Sequence, residues 1–397
     1  MPSLNPDVLR WARETADLSV EEAARKVGLR DSGKGTAAER LQAIEVGEEE
    51  PTRAVLARMS RAYRRPLLAL YLPEPPRSVD RGGDFRSLPT GYHDEEEALV
   101  DALLRDVRVR QHLIRVAMED EEEADPLEWV ATHGRDDGVR ALVRTLERVL
   151  GMGRVDFRAV AGMDAAFQLL RDRVEAAGAF VLLVGDLGSH HTQIDVDVFR
   201  GFALADPVAP FIVVNDQDAR SAWSFTLLHE FVHLLLGVTG ISAGFPSATL
   251  ERFCNDVASA FLVTDEELAD VVVPRPLTLA ELASTLGAFS RRWNVSRSML
   301  TYRLFRAGQL SQPAWAELTD QFEDEWLRLR ERSKAKARVS DGGPNYYVVR
   351  RHRLGLRLVQ VTSRMLRAGA LTTTRAGQVL GVSPKNVGPL LAESPGG

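Results

Sequence analysis

The chain has 397 residues, of which 45% are hydrophobic and 27% charged, and its formal net charge is −6. This length and composition predict a globular protein of two or three domains with cores of their own. There is no apolar run of about 18 residues and no basic start followed by an apolar stretch, so we predict neither a membrane span nor a secretory signal, and a cytoplasmic location. A single cysteine, Cys254, excludes an internal disulfide and a cysteine-based metal cluster.

Residues 1–73 read as four short helices separated by turn signals. Ser19, with Glu22 three residues later, predicts a capped helix start, and Gly28 predicts the end of that helix. The pattern L-S-x-x-E-x-A in this helix, the I-E-x-G that ends the next helix, and the later P-T and R-P-L resemble the XRE (Cro/CI-type) helix-turn-helix domain. The resemblance implies an all-α DNA-binding domain.

DNA binding by residues 1–73 is one of two interpretations. If the third helix enters the major groove, the side chains near its start are available to contact bases. Phosphate contacts dominate affinity for DNA, yet this region holds 12 basic and 11 acidic residues. The alternative is a helical module for docking a partner or for dimerisation, which would give a homodimer. The candidate base-contacting residues are Lys34, Thr36, Glu39, Arg40 and Gln42.

The middle of the chain contains two regions of different composition. Residues 74–93 begin with a Pro/Gly-rich stretch and are predicted to form a linker. Residues 94–160 are predicted to form a helical connector, which starts with a long helix whose acidic ends mark a solvated face. A further helix is expected over 164–177, at the start of a domain that we place at residues 161–330.

Three β-rich runs follow that helix: AFVLLVG, IDVDVFRGFALAD and FIVVND. They predict three strands of a small sheet, and an exposed edge of such a sheet can pair with an extended peptide substrate. His190 and His191 fall in the loop between the first two runs. They are candidates for stabilising a transition state in a cleft, and the alternative is a pair of solvent-exposed loop residues.

The segment at residues 223–237, WSFTLLHEFVHLLLG, is apolar around most of its helical circumference, yet it carries His229, Glu230 and His233. An unpaired charge in such a helix is costly, so a bound cation is the natural compensation. The two histidines are four residues apart and lie on one side of a helix. This is the H-E-x-x-H arrangement, in which two imidazoles bind zinc and the glutamate acts on a water molecule. The alternative is two core histidines hydrogen-bonded to the backbone.

A third metal ligand is expected from the next predicted helix, which starts near Leu250. Glu251 lies in its first turn, and Asn255 lies one turn further, placed to accept a hydrogen bond from the Nδ1 of a ligand histidine. Glu251 also has a plainer interpretation as an acidic residue that favours a helix N-terminus. The competing carboxylates are those of Asp256, Asp265, Glu266 and Glu267.

FIVVND, Arg220, FTLLHEFVHLLLG and ERFCNDVASAFLV occur in an order that resembles the ImmA/IrrE family of zinc metallopeptidases. The resemblance implies that His229, His233 and Glu251 bind Zn²⁺ and that Glu230 is the catalytic residue. The family often has H-E-L-G-H, whereas Phe231 and Val232 occupy the middle positions here. A later helix resembles the family's helix with an R-L pair, so Arg303 and its neighbour Tyr302 are candidate stabilisers of an oxyanion, with simple packing as the alternative.

Residues 331–397 form a basic tail with 12 basic and 3 acidic residues. Its end, 371–391, has the form of a second helix-turn-helix, in which Lys385 and Asn386 are candidate DNA contacts. The excess of positive charge suits double-stranded DNA. The alternative is a basic cap that docks on the acidic remainder of the chain.

Together these patterns predict a mainly α protein with a small β-sheet, in which an α+β zincin-like peptidase core joins an all-α helix-turn-helix domain. The predicted function is a zinc-dependent endopeptidase coupled to a DNA-binding domain. The family resemblance implies a protein substrate, typically a helix-turn-helix repressor or an antitoxin, whose cleavage controls transcription. The alternative is a DNA-binding transcriptional regulator in which the peptidase fold acts as a sensor or docking domain without proteolysis.

Overall fold

The structure is a computed structural model. Within the residues that it describes, the fold is mostly helical with one small sheet, which confirms the predicted fold class. Lys34, His190, His191 and all of the predicted linker except 74 and 75 lie outside the described residues. None of the described helices is both long and apolar enough to cross a membrane. The described residues are 4–16, 18–33, 35–63, 65, 67–72, 74–75, 94–189, 192–242, 249–271, 278–339 and 345–392.

The described residues fall into two compact units. The first contains those of 1–81, 88–105 and 187–194, and the second contains those of 106–186 and 195–392. A long helix, α5 (Asp94–Asp120), contributes to both units. The other helices of the first unit are α1 (Pro6–Glu14), α2 (Val20–Val27), α3 (Ala37–Glu45), α4 (Arg53–Ala62) and a 3-10 helix at Leu67–Tyr71.

The N-terminal helices form where the capping signals predict them. Ser19 and Glu22 form a capping box at the start of α2, and Gly28 ends that helix in the left-handed conformation, at φ 70°. A buried ion pair between Arg13 and Glu45, 2.9 Å long, joins α1 to α3. The apolar faces of α1 to α4 form the core of this unit.

The second unit is built around the sheet and α9. Its elements, in chain order, are α6 (Val139–Leu150), α7 (Arg154–Ala159), α8 (Met163–Ala176), β1 (Phe180–Leu183), β2 (Gly201–Leu204), β3 (Phe211–Val214), α9 (Arg220–Leu235), β4 (Gly240–Ser242), α10 (Thr249–Leu262), α11 (Asp265–Asp270), α12 (Leu279–Trp293), α13 (Arg297–Arg306), α14 (Gln312–Val339), α15 (Tyr346–Leu354), α16 (Leu356–Ala368), α17 (Thr373–Leu380) and α18 (Val387–Leu391), with 3-10 helices at Arg135–Asp137 and Pro384–Asn386.

The sheet has the strand order β1-β3-β2-β4. β1 pairs with β3 in parallel, and β2 pairs antiparallel with both β3 and β4. The three strands predicted before the metal helix are present, and each is buried at every position because the strands are covered by helices. The fourth strand was not predicted. Its three residues lie in a stretch that reads as a turn, and they become a strand only by pairing with the edge of β2.

The C-terminal helices are part of the second unit. α15 and α16 pack against β1, and α16 also packs against α8. The buried guanidinium of Arg171 in α8 donates hydrogen bonds to the carbonyls of His352 and Val181. Arg353 forms ion pairs with Asp216, at 2.7 Å, and with Asp186. These contacts match the second interpretation of the basic tail, a cap docked on acidic residues.

Candidate metal centre

Helix α9 supplies the two histidines and the glutamate of the predicted motif. It packs against α8, α10, β2 and β3, and because it is surrounded, the side chains of residues 226–235 are all buried. It ends in a Schellman motif, in which Gly237 N–H donates to Leu234 O and Val238 N–H donates to His233 O. Gly237 has φ 66°, and a Cβ there would lie 2.5 Å from the Cβ of Ala131. The end of α9 is therefore fixed within one turn of His233.

The structure brings His229, His233 and Glu251 together. Glu251 lies in the first turn of α10, which packs against α9. His229 Nε2 is 3.1 Å from Glu251 Oε2, and His233 Nε2 is 3.2 Å from Glu251 Oε1. The two Nε2 atoms are 3.1 Å apart. Among the described residues, these three form the one cluster of histidine, cysteine or acidic side chains that could hold a metal ion.

The spacing of these atoms fits zinc. Zinc–nitrogen and zinc–oxygen bonds are about 2.0–2.2 Å, so two ligand atoms of a tetrahedral site lie roughly 3.3–3.5 Å apart. In the cluster the two Nε2 atoms are 3.1 Å apart, and each lies 3.1–3.2 Å from a different oxygen of the Glu251 carboxylate. A single cation at the centre would satisfy the lone pairs of two imidazoles and one carboxylate, three groups that are otherwise costly to bury. Two nitrogens and one oxygen are also a ligand set that suits zinc.

Burial and nearby charges shift the pKa of Glu251 in opposite directions. Burial raises the pKa of a carboxyl group, but hydrogen bonds and charge interactions with His229 and His233 outweigh burial, and they lower the pKa of Glu251 below its ordinary value. Glu251 is therefore ionised near neutral pH. An ionised carboxylate is the form that binds a metal.

The hydrogen bond predicted for Asn255 is not formed. Both histidines turn Nε2 toward the cluster, and the Nδ1 atoms of His229 and His233 are buried without a hydrogen-bond partner. Asn255 lies one helical turn beyond Glu251 and is half-buried. Its position along α10 is as predicted, but the side chain does not orient either imidazole in this structure.

Glu230 points to a different side of α9 from the two histidines, toward strand β2. Its carboxylate is fully buried, and it lies over Gly201, where an added Cβ would be 2.9 Å from Glu230 Oε1. The same Cβ would be 2.7 Å from Cγ2 of Thr226. Gly201 therefore provides the space that the carboxylate uses. Gly201 was not predicted as a site residue, although a glycine inside a strand is a recognised sign of close approach by another group.

The competing carboxylates are engaged elsewhere. Asp256 pairs with Arg306 at 2.8 Å, and Glu267 pairs with Arg158 at 2.8 Å. Asp265 pairs with Arg303 at 2.6 Å, and Glu266 is exposed. None of the four belongs to the histidine cluster.

The two described candidates for an oxyanion stabiliser are bound to carboxylates. The hydroxyl of Tyr302 donates to Asp256 Oδ1 at 3.2 Å, and Arg303 donates to Asp265. Burial, with a further contribution from the charge of Asp256, raises the pKa of Tyr302 to about 12, so its hydroxyl stays protonated. The other two candidates, His190 and His191, lie outside the described residues.

Some candidate DNA contacts of the first unit form hydrogen bonds within the unit, and one is exposed to solvent. Thr36 caps α3 by accepting from Glu39 N–H, and the Glu39 carboxylate accepts from Thr36 N–H in return. Arg40 is held by Glu49 at 3.0 Å and by the carbonyl of Arg30. Gln42 is exposed on α3, whereas Lys34 lies outside the described residues. Among the described candidates, Gln42 is thus an exposed side chain that takes no part in the cap of α3 or in the Arg40–Glu49 pair.

The candidate DNA contacts of the tail lie in a short 3-10 helix, Pro384–Asn386. Lys385 is exposed and Asn386 is half-buried. Helix α18, which follows, has five residues. Arg350 and Arg351, which add to the positive charge of the tail, donate to the carbonyls of Leu380 and Leu390 and so stabilise helix ends inside the unit.

One family model matches this chain. Residues 187–305 match the IrrE N-terminal-like domain, Peptidase_M78. The match contains β2 to β4, α9 to α12 and the whole histidine cluster. No curated protein and no solved structure matches the chain. The match supports the peptidase part of the predicted resemblance and a function of the metallopeptidase type, whereas the helix-turn-helix resemblance stays a prediction.

Proposed function

We propose that this protein is a zinc-dependent endopeptidase that cleaves a specific regulatory protein. The observation that carries the proposal is the convergence of His229 Nε2, His233 Nε2 and the Glu251 carboxylate at separations of 3.1–3.2 Å, inside the residues that match a peptidase family. A buried glutamate, Glu230, lies on the same helix next to the first histidine. These are the groups that metal-assisted peptide hydrolysis requires.

Each residue has a distinct role in the proposed reaction. His229, His233 and Glu251 would hold Zn²⁺, which when bound lowers the pKa of a coordinated water and polarises a carbonyl group. Glu230 accepts a proton from the attacking water and then delivers it to the amine of the leaving peptide. The lack of a side chain at Gly201 leaves room for the carboxylate of Glu230 against β2.

We further propose that the substrate is a helix-turn-helix repressor or an antitoxin, so that cleavage changes transcription. A peptidase that works among the cell's own proteins must avoid indiscriminate cutting, and the need for a docked partner gives such selectivity through differential binding. The separate N-terminal unit, with a core of its own, supports this proposal because it offers a docking surface.

Co-expression with the products of neighbouring genes tests the proposal. Intact-protein mass spectrometry should show a truncated partner with the wild type and the uncut partner with the Glu230→Gln variant. Both forms should contain zinc, because Glu230 is not a ligand in the proposed site. If both forms contain zinc and neither produces a new protein terminus, the proteolytic function is wrong.

A second candidate function, a DNA-binding regulator, is favoured by the first unit. Both α2 and α3 begin with capping boxes, Gly28 ends α2, and Gln42 is exposed on α3. A glutamine that contacts an adenine contributes about 1–3 kcal/mol to base discrimination. Gln42→Ala should therefore reduce binding to a specific duplex but leave the salt dependence unchanged, since that dependence comes from phosphate contacts. Absence of duplex binding at low salt would exclude this function.

A further inference from the structure

A cavity of ≈ 470 Å³ lies at the N-terminal end of α9, wholly within the second unit. It is bounded by the end of β1, the segment that leads into α9, and side chains of α14 and α15. It shares no residue with the histidine cluster. Its volume lies within the range of roughly 300–1,000 Å³ that is usual for sites that bind small molecules.

Two tryptophans give the cavity flat apolar walls. Trp223 lies in the second turn of α9, and its indole N–H donates to the carbonyl of Asp218 at 3.2 Å. Trp326 of α14 is half-buried. The guanidinium groups of Arg220 and Arg330 lie 5.7 Å from the Trp223 ring and 5.2 Å from the Trp326 ring. Each indole therefore has a cation beside its face.

The carboxylates that line the cavity are already engaged by other groups. Asp216 pairs with Arg353 at 2.7 Å, and Asp218 accepts from the N–H of Ala219 at 2.7 Å and from Arg200 at 3.4 Å. Their negative charges are therefore largely offset by these partners.

The two arginines beside the indoles have weaker acidic partners, although the charge of Arg330 also interacts with that of Asp218. The hydrogen bond that the structure gives the Arg330 side chain is to a neutral acceptor, Gln217 Oε1, at 3.0 Å. Arg220 pairs with Asp164 at the surface, where both side chains are about two-thirds exposed, and such a pair contributes little. The lining thus presents guanidinium groups whose charge is available to a ligand.

We propose that this cavity binds a small organic anion in which a flat aromatic ring carries a phosphate or carboxylate group. The ring would lie against Trp326 or Trp223. The anionic group would accept hydrogen bonds from Arg330 and Arg220, because a guanidinium group matches the geometry of both phosphate and carboxylate. The ligand would contact the start of the helix that carries His229 and His233, about two to four turns away from those residues.

Ligand binding to the full chain tests this site, with tryptophan fluorescence and equilibrium dialysis as the measurements. The probes are a purine nucleoside 5′-monophosphate, an indole carboxylate, the uncharged purine nucleoside and inorganic phosphate. At least one of the two aromatic anions should bind saturably. The uncharged nucleoside and inorganic phosphate should each bind about tenfold more weakly or worse. Each of these two probes lacks one of the two groups that the cavity recognises.

Variants assign the binding to the cavity. Arg330→Gln should weaken the aromatic anion about tenfold or more, because it removes the charged donor. The matched control is Arg328→Gln, on the same helix but outside the cavity and paired with Asp324 at the surface, and it should leave binding unchanged. Trp326→Leu should weaken binding with an unchanged melting temperature. The proposal is overturned if neither aromatic anion binds, if the nucleoside binds equally well, or if the two arginine variants behave alike.

Discussion

The carboxylate of Glu230 occupies space that exists because residue 201 is glycine, since a Cβ on β2 at that position would lie 2.9 Å from Glu230 Oε1. Gly201→Ala should therefore push α9 away from the strand or force the Glu230 side chain to rotate. We expect a loss of cleavage by about tenfold or more with zinc retained, because a small displacement of a proton-transfer group is costly. Cleavage of the partner protein and zinc content, measured on the same sample, check this prediction.

Gly287→Ala in α12 is the matched control for Gly201→Ala. The nearest neighbour of its added Cβ is a flexible Arg291 side chain at 3.6 Å, so the change should be neutral or slightly stabilising for a helix. If Gly201→Ala cleaves as well as Gly287→Ala does, the close approach of Glu230 to β2 has no catalytic importance.

Arg171 links the C-terminal helices to the sheet. It lies in a buried ion pair with Glu175 and donates to carbonyls of residues 181 and 352. Arg171→Met removes the ion-pair partner of the buried Glu175 carboxylate, so we expect the free energy of unfolding to fall by about 3–5 kcal/mol. Amide hydrogen exchange in α15 should also accelerate, because its last turn loses an anchor. Urea unfolding and hydrogen exchange check these two effects.

The exposed Arg173, on the same helix, provides the control for this variant. Arg173→Met should change the free energy of unfolding by no more than about 0.5 kcal/mol. Equal effects of the two substitutions would mean that residues 345–392 are not anchored through Arg171.

Glu267 makes a pH-dependent contribution to stability. Burial raises its pKa, but Arg158, the N–H of Thr264 and Arg154 outweigh burial and lower the pKa of Glu267 to about 2. Because this value lies below the ordinary value of 4.5, the stabilisation is fully present above about pH 4.5 and is lost as the pH falls toward 2. Glu267→Gln should lower the free energy of unfolding by about 1–3 kcal/mol at pH 7, and the difference should shrink between pH 4.5 and 2. Urea unfolding over this pH range would contradict the assignment if the difference were constant.

The histidine motif was predictable because its geometry is local. His229 and His233 are one helical turn apart, and the apolar residues around them predict a buried helix. Glu251 was predictable as one of several carboxylates. The others could be set aside only from the structure, because the arginines that engage Asp256, Asp265 and Glu267 come from distant helices.

Three features depend on contacts that a sequence does not display. β4 is too short to show an alternating pattern and forms by pairing with β2. The sequence places Asn255 one turn beyond Glu251, but whether its side chain reaches a histidine Nδ1 depends on how α9 packs on α10, and in this structure both Nδ1 atoms are without a hydrogen-bond partner. The positive charge of the tail can be counted from the sequence, but the count does not show which acidic residues the tail contacts. The partners of Arg353, Asp186 and Asp216, lie far from it in sequence.

The zinc content of Glu251→Ala tests the metal centre most directly. Inductively coupled plasma mass spectrometry of the desalted full chain should find about one zinc per chain in the wild type and less than about 0.1 in this variant, because the site loses its charged ligand. Glu266→Ala, which removes an exposed carboxylate nearby in sequence, should keep about one zinc. A wild type without zinc, or a Glu251→Ala variant with a full equivalent, would contradict the proposed centre.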